Sequence, residues 1–118
     1  MAQQVNLDFR KSVKQYMIIT LIDGKQLEIC KPSKAVFNLF RPLSQSFNDL
    51  ENKEMTETES WDLLDVIYDL CSKIMSHNRK REEITVEYLE NTLDIDDLKL
   101  FFESYMAFVN DGLQHVKN

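Results

Sequence analysis

The sequence predicts an α+β fold: a single, mainly α-helical domain with an N-terminal β-hairpin packed on about four helices. Three observations predict it. An Asp-Gly pair sits between two short β-branched runs near the start. Apolar residues recur at helical spacing through the rest of the chain. Only two Gly and two Pro interrupt 118 residues, too few for long linkers or low-complexity segments. This length suits one domain, residues 1–118, with a core that buries roughly 60–70% of the surface the unfolded chain exposes. Within it, residues 1–14 are expected to be partly flexible, 15–31 to form the hairpin and 33–117 the helical part.

YMIITLI (16–22) and KQLEICK (25–31) flank Asp23-Gly24. A two-residue Asp-Gly loop between such runs is a strong hairpin signal, and Gly24 supplies the positive φ of a type I′ turn. Leu27 and Ile29 alternate with Gln26, Glu28 and Cys30, which predicts one buried face. An isolated hairpin is marginal in water, so this face must pack on helices. Ser33 is placed to cap a helix over residues 34–50. Val36, Leu39, Phe40, Leu43, Phe47 and Leu50 form its stripe, about 100° wide. Pro42 should kink or divide this helix near Arg41. Phe37 falls off the stripe, about 100° from Val36.

Thr56 and Glu59 fit a capping box ahead of a helix over 61–78. Trp61, Leu63, Leu64, Ile67, Tyr68, Leu70, Cys71, Ile74 and Met75 cover about half of its wheel, the signature of a central helix with several neighbours. A charged loop, NRKREE (78–83), follows. Thr85 caps a short helix that aligns Val86, Leu89 and Leu93. Asp94 caps the last helix, and Asp96 and Asp97 suit its positive end. Ile95, Leu98, Phe101, Phe102, Tyr105, Met106, Phe108, Val109, Leu113 and Val116 fall within an arc of about 160°, with Leu100 and Ala107 outside it. Gly112 should weaken the last turns.

Charge and motifs exclude several function classes. The net charge is −6, unevenly placed. Residues 1–50 carry seven Lys/Arg against four Asp/Glu, and residues 51–118 carry seven against sixteen. An acidic domain repels phosphate backbones, so nucleic-acid binding is not expected. ITVEYLENTLDIDDLKLFF has the outline of a helix-turn-helix, but it offers Asp96, Asp97 and Glu103 against Lys99 alone where a recognition helix needs basic or amide groups. The asymmetry suits head-to-tail self-association or a basic partner, although a solvated acidic face is the commoner meaning. No apolar run reaches the eighteen or so residues of a membrane span, and MAQQVNLDFRKS lacks a signal-peptide core, so a cytosolic protein is expected. Cys30 and Cys71 form no C-x-x-C pair and read as inert, buried thiols.

No cofactor, metal or catalytic site is expected. Asp94, Asp96 and Asp97 resemble a scrap of a calcium loop, but Lys99 and Tyr105 stand where its Gly and Glu belong, and helix capping accounts for them. His77 and His115 are far apart and belong to no metal motif. His77 lies near a helix C-terminus, where a cation is favoured. Nothing pairs a nucleophile with a base.

The order ITLIDGKQLEICKPSKAVFNLF, then WDLLDVIYDLCSKIMSHNRKREEITVEYLENTLDIDDLKLFFESYMAFV, resembles the small tail assembly chaperones of long-tailed phages and prophages of Gram-positive bacteria. LCSKIMSHN, EITVEYLENTLDIDDL and FFESYMAFV carry most of the resemblance, which spans residues 15–110. It implies a non-enzymatic protein of the bacterial host's cytoplasm, absent from the mature virion. Such a protein binds the long, apolar, helical tape measure protein, keeps it soluble and helps recruit tail tube protein. Many are made in two forms, the longer by a translational frameshift, and this chain would be the short one. The family shares no site residues to carry over.

The partner-contact candidates therefore rest on physics. A holdase for helical segments needs apolar grooves between helices, and aromatic and Met side chains suit loosely specific surfaces. Phe101, Tyr105, Met106 and Phe108 would serve on the last helix, and Phe37, Phe40 and Phe47 around Pro42. Leu100 and Phe37 are the candidates outside their stripes; for any of the others, a place in the core is the plainer reading. The state could be monomer or homo-oligomer. Two other classes stay open: a structural tail or head–tail subunit retained in the particle, and an acidic regulatory adaptor for a basic protein.

Overall fold

In the structure, a computed structural model, residues 4–12, 14–52 and 54–116 are described, with side chains described through residue 111. A 3-10 turn at Phe9–Lys11 precedes β1 (Tyr16–Thr20) and β2 (Gln26–Cys30). Helices α1 (Lys34–Phe37), α2 (Phe40–Leu50), α3 (Glu57–Ser76), α4 (Val86–Thr92) and α5 (Ile95–Val116) follow. This is the α+β architecture that the sequence predicts.

The hairpin forms, but not with the predicted loop. Thr20 pairs with Gln26, and the Leu21 N–H donates to the Lys25 carbonyl at 2.8 Å. The loop is therefore three residues, Ile22-Asp23-Gly24, with a turn closed by the Gly24 N–H on the Leu21 carbonyl. Gly24 has φ +88°, the left-handed residue that forms the bulge of a three-residue hairpin loop. The Asp23 carboxylate also accepts from the Lys25 N–H, which holds the chain in this longer loop. One extra loop residue moves the first strand's partners by one and exchanges its faces. Met17, Ile19 and Leu21 join Leu27 and Ile29 on the inner face, while Ile18 and Ile22 are left exposed.

The predicted 34–50 helix is two helices. Ser33 caps α1 by accepting from the Val36 N–H, as its position suggests. The break falls at Asn38-Leu39, ahead of the expected Arg41. Pro42 has no N–H for the Asn38 carbonyl and its ring would collide with it, so the helix is interrupted four residues upstream. Pro42 thereby occupies the first turn of α2, where a missing N–H costs little.

Helix α3 is the centre of the domain: α2, α4, α5 and β2 pack on it. Ile67, Leu70, Cys71, Ile74 and Met75 are buried on its several sides. Thr56 caps it, accepting from the Glu59 N–H. The Thr56 hydroxyl also donates to the Glu59 carboxylate, in place of the reciprocal backbone bond of a capping box. The helix thus starts at Glu57, before the predicted 61. Trp61 is exposed, against expectation, while Leu63 and Leu64 of the next turn are half-buried and full burial begins at Ile67.

Thr85 caps α4 by accepting from the Tyr88 N–H. Asp94 and Asp97 cap α5 reciprocally, each carboxylate accepting from the other's N–H. Leu98, Phe101, Phe102, Tyr105 and Val109 place the predicted stripe of α5 in the core. Leu100 and Ala107 are exposed, as predicted. The side chains of Leu113, His115 and Val116, and the surroundings of Gly112, lie outside what is described.

The 78–83 loop is more than a solvated link. Asn78 is 3% exposed. Its amide donates to the Met75 and Glu82 carbonyls at 2.8 and 2.9 Å, and its side-chain oxygen accepts from the Glu82 N–H. The main chain beside it extends the sheet: the Cys30 N–H donates to the His77 carbonyl, and the Arg79 N–H to the Glu28 carbonyl. Arg79 also pairs with the Glu28 carboxylate and lies over the Tyr16 ring. Two expectations change here. Cys30 is half-buried, because it lies on the outer face of the hairpin. His77 is not poised as a helix-end cation: burial, and then the Arg81 charge, push its pKa below the ordinary value.

Candidate functional site

Two apolar recesses lie on either side of α5. The first is built by the Pro42 break. Phe37, off the stripe by its position, ends α1, and its ring lies against that of Phe40, where α2 restarts, centroids 4.9 Å apart. Phe40 is buried and stands edge-on to Tyr105 and Phe102 of α5, at 5.2 and 6.3 Å. Phe37 remains 47% exposed. Asn38, Arg41, Ser44 and Gln45 rim the recess, and Phe102 and Met106 form its floor. An apolar floor with a polar rim is the pattern of a helix-binding groove.

The second recess is a groove of about 340 Å³ between β1 and α5. Residues 17–22 form one wall, and Asp97, Leu100, Phe101 and Ser104, one face of α5, form the other. Met75 and Leu93 close its base. The sheet leaves this side open. β2 pairs with β1 on one edge and with Asn78 on the other, so the outer edge of β1 has no neighbouring strand among the described residues. Leu21 bonds to Lys25 across the hairpin, and hydrogen-bonded pairs recur at every second residue of an antiparallel ladder. Ile19 and Met17 therefore turn their main-chain groups toward β2, and the N–H and C=O groups of Tyr16, Ile18 and Thr20 point outward.

The eight sequence candidates divide by burial. Phe37 and Leu100 are exposed, and Met106 and Phe108 are half-buried. Phe40, Phe47, Phe101 and Tyr105 are core residues of the folded chain. Phe47 stacks on Phe102 at 5.6 Å, and Phe101 on Tyr105 at 5.8 Å. Phe108 lies under the Lys31 ammonium, 4.1 Å from the ring centroid, while Lys31 donates to the Phe108 carbonyl. Phe37, Phe40 and Met106 meet at the first recess, Leu100 and Phe101 at the second; Phe47, Tyr105 and Phe108 line neither.

Sequence reasoning missed Ile18 and Ile22, exposed by the register change, and Val5, Leu7 and Phe9, exposed ahead of the hairpin. The period-two spacing of VNLDF is the available signal for the latter.

Among the described residues, Cys30, His77 and Cys71 are held toward their neutral forms. Cys30 and His77 line a further recess, of about 390 Å³, with Lys14, Tyr16 and Lys31. Burial raises the Cys30 pKa and lowers that of His77, so both favour their neutral forms. Burial pushes the Cys71 thiol up to about 12. Among the described residues, no three His, Cys, Asp or Glu are placed to hold a metal ion, and no helix is long and apolar enough to cross a membrane. What the geometry offers is apolar contact. No family model, curated protein or solved structure matches this chain.

Proposed function

We propose that this chain is a tail assembly chaperone of a long-tailed phage or prophage, acting in the host cytoplasm and left out of the finished virion. It seats an apolar helical segment of the tape measure protein in the recess between α1–α2 and α5, and it aids assembly of tail tube protein around that complex. The supporting resemblance lies in LCSKIMSHN, EITVEYLENTLDIDDL and FFESYMAFV. The observation that carries the reading is Phe37, held 47% exposed over a floor of Phe102 and Met106. A half-exposed aromatic beside an adaptable Met is a fitting anchor for apolar helices of varied sequence. The net charge of −6 favours solubility of the complex.

The test is co-expression with the long helical protein encoded nearby. The expected result is a higher soluble fraction of that protein and its co-purification with this chain. Phe37→Asp should cut recovery at least tenfold, the scale of an anchor worth about 1.4 kcal/mol or more. Unchanged solubility with no co-purification would overturn the reading, and recovery of this chain in purified particles would favour a structural subunit instead.

A further inference from the structure

The groove between β1 and α5 has a second feature of matching chemistry on the same chain. Ahead of the hairpin runs an apolar arm with no cover. Val5, Leu7 and Phe9 are 89%, 74% and 71% exposed. Among the described residues, every hydrogen bond of the 4–12 segment stays within residues 8–12: Asp8 holds Arg10, and Ser12 and Lys11 close the turn. Val5 and Leu7 alternate ahead of the 3-10 turn that Phe9 opens; drawn out as a strand, this segment would place all three side chains on one side. Such a segment buries nothing here.

We infer that this arm docks on a second copy of the chain, adding a strand to the free edge of β1 and laying its apolar side into the groove beside Leu100 and Phe101. Three observations select this occupant. The outer edge of β1 offers the N–H and C=O groups of Tyr16, Ile18 and Thr20, the template that strand addition uses. The groove wall is apolar where Val5, Leu7 and Phe9 need cover. The charges also match. Residues 4–15 carry Arg10, Lys11 and Lys14 against Asp8, whereas residues 90–104 carry five carboxylates against Lys99, with Asp97 in the groove itself. Opposed charges of this kind orient an encounter and set its register. The arm leads into β1 yet leaves its own three apolar side chains in water, so within one chain the edge and the arm both stay unused. Exchange between two copies closes a dimer, and exchange passed onward builds a chain or ring. This inference does not rest on the proposed partner, whose recess is on the other side of α5.

Cysteine cross-linking of the full chain tests it, in a Cys30→Ser background with Cys71 left buried. Chains bearing Val5→Cys, Leu7→Cys or Phe9→Cys are mixed with chains bearing Leu100→Cys and oxidised. All four positions are exposed, so the variants retain the core. The expected result is a disulfide-linked heterodimer for at least one pair, with light scattering of the unmodified chain giving twice its 14.0 kDa mass or more. Leu7→Asp combined with Phe9→Asp should return that species to monomer, and raised salt should weaken it severalfold. A monomer at high micromolar concentration with no cross-link would overturn the inference. So would a cross-link that forms only within a chain carrying both cysteines, since the arm would then cover its own edge.

Discussion

The rings of Phe37 and Phe40 lie 4.9 Å apart, yet Phe37 is 47% exposed and Phe40 only 5%. Substitution should separate the two. Phe40 meets Phe102 and Tyr105, so Phe40→Ala should leave a cavity and cost about 3–5 kcal/mol in urea unfolding. Phe37→Ser should cost less than about 1 kcal/mol, because its outer face is already in water. Equal losses would show that Phe37 is held as core and would remove it as an anchor.

Gly24 closes the three-residue loop of the hairpin. Its φ of +88° is strained for any residue with a Cβ, although nothing lies within 4 Å of where that Cβ would go. Gly24→Ala should therefore cost about 1–2 kcal/mol from the backbone alone. The folded variant should keep its core contacts, read as unchanged near-ultraviolet dichroism. A larger loss with altered dichroism would mean that the register had slipped and brought Ile18 inward.

How much of this is legible in the sequence follows from the range of each determinant. Ser33, Thr56, Thr85 and Asp94 each cap the helix their position suggests, because capping is decided within three residues. The stripe of α5 likewise reads from its own period. The hairpin is legible as an element but not in register. Asp-Gly suits a two-residue loop and also the end of a three-residue one, and only packing against the helices chooses between Met17-Ile19-Leu21 and Ile18-Thr20-Ile22 as the inner face. Candidate contacts meet the same limit. Phe101 and Phe37 are both apolar helical positions, and whether a neighbouring element covers them is a tertiary fact. The edge-strand groove is invisible for that reason, since β1 and α5 are distant in sequence.

Asn78 gives a third prediction. Its side chain makes three hydrogen bonds in a nearly closed site, and its neighbours His77 and Arg79 bond to β2. Asn78→Ala leaves buried backbone groups unpaired and should cost about 2–3 kcal/mol. Asn78→Asp should cost more, because it places a carboxylate against the Met75 and Glu82 carbonyls. Hydrogen exchange provides the local readout: the Cys30 and Arg79 amides should lose protection ahead of the α3 core. Unchanged protection there would mean that the sheet, and not Asn78, holds the loop.

His77 makes stability depend on pH in a definite direction. Burial is the larger cause of its lowered pKa, and the Arg81 charge adds to it. The unfolded chain, with a pKa near 6.5, then binds a proton more readily than the folded one. By linkage, stability is full above pH 6.5, falls between there and the lower folded pKa, and levels off below it. The paired carboxylates Asp8 and Glu51 act in the same sense, but only below their ordinary values of 3.8 and 4.5, so the windows separate. Thermal unfolding from pH 8 to 5 should thus show a fall in Tm that His77→Gln flattens, since Gln cannot charge. A fall of the same size in His77→Gln would assign it to another group and remove His77 as its source. The fall should also persist in Arg81→Gln, though smaller, because burial remains when the neighbouring charge is gone.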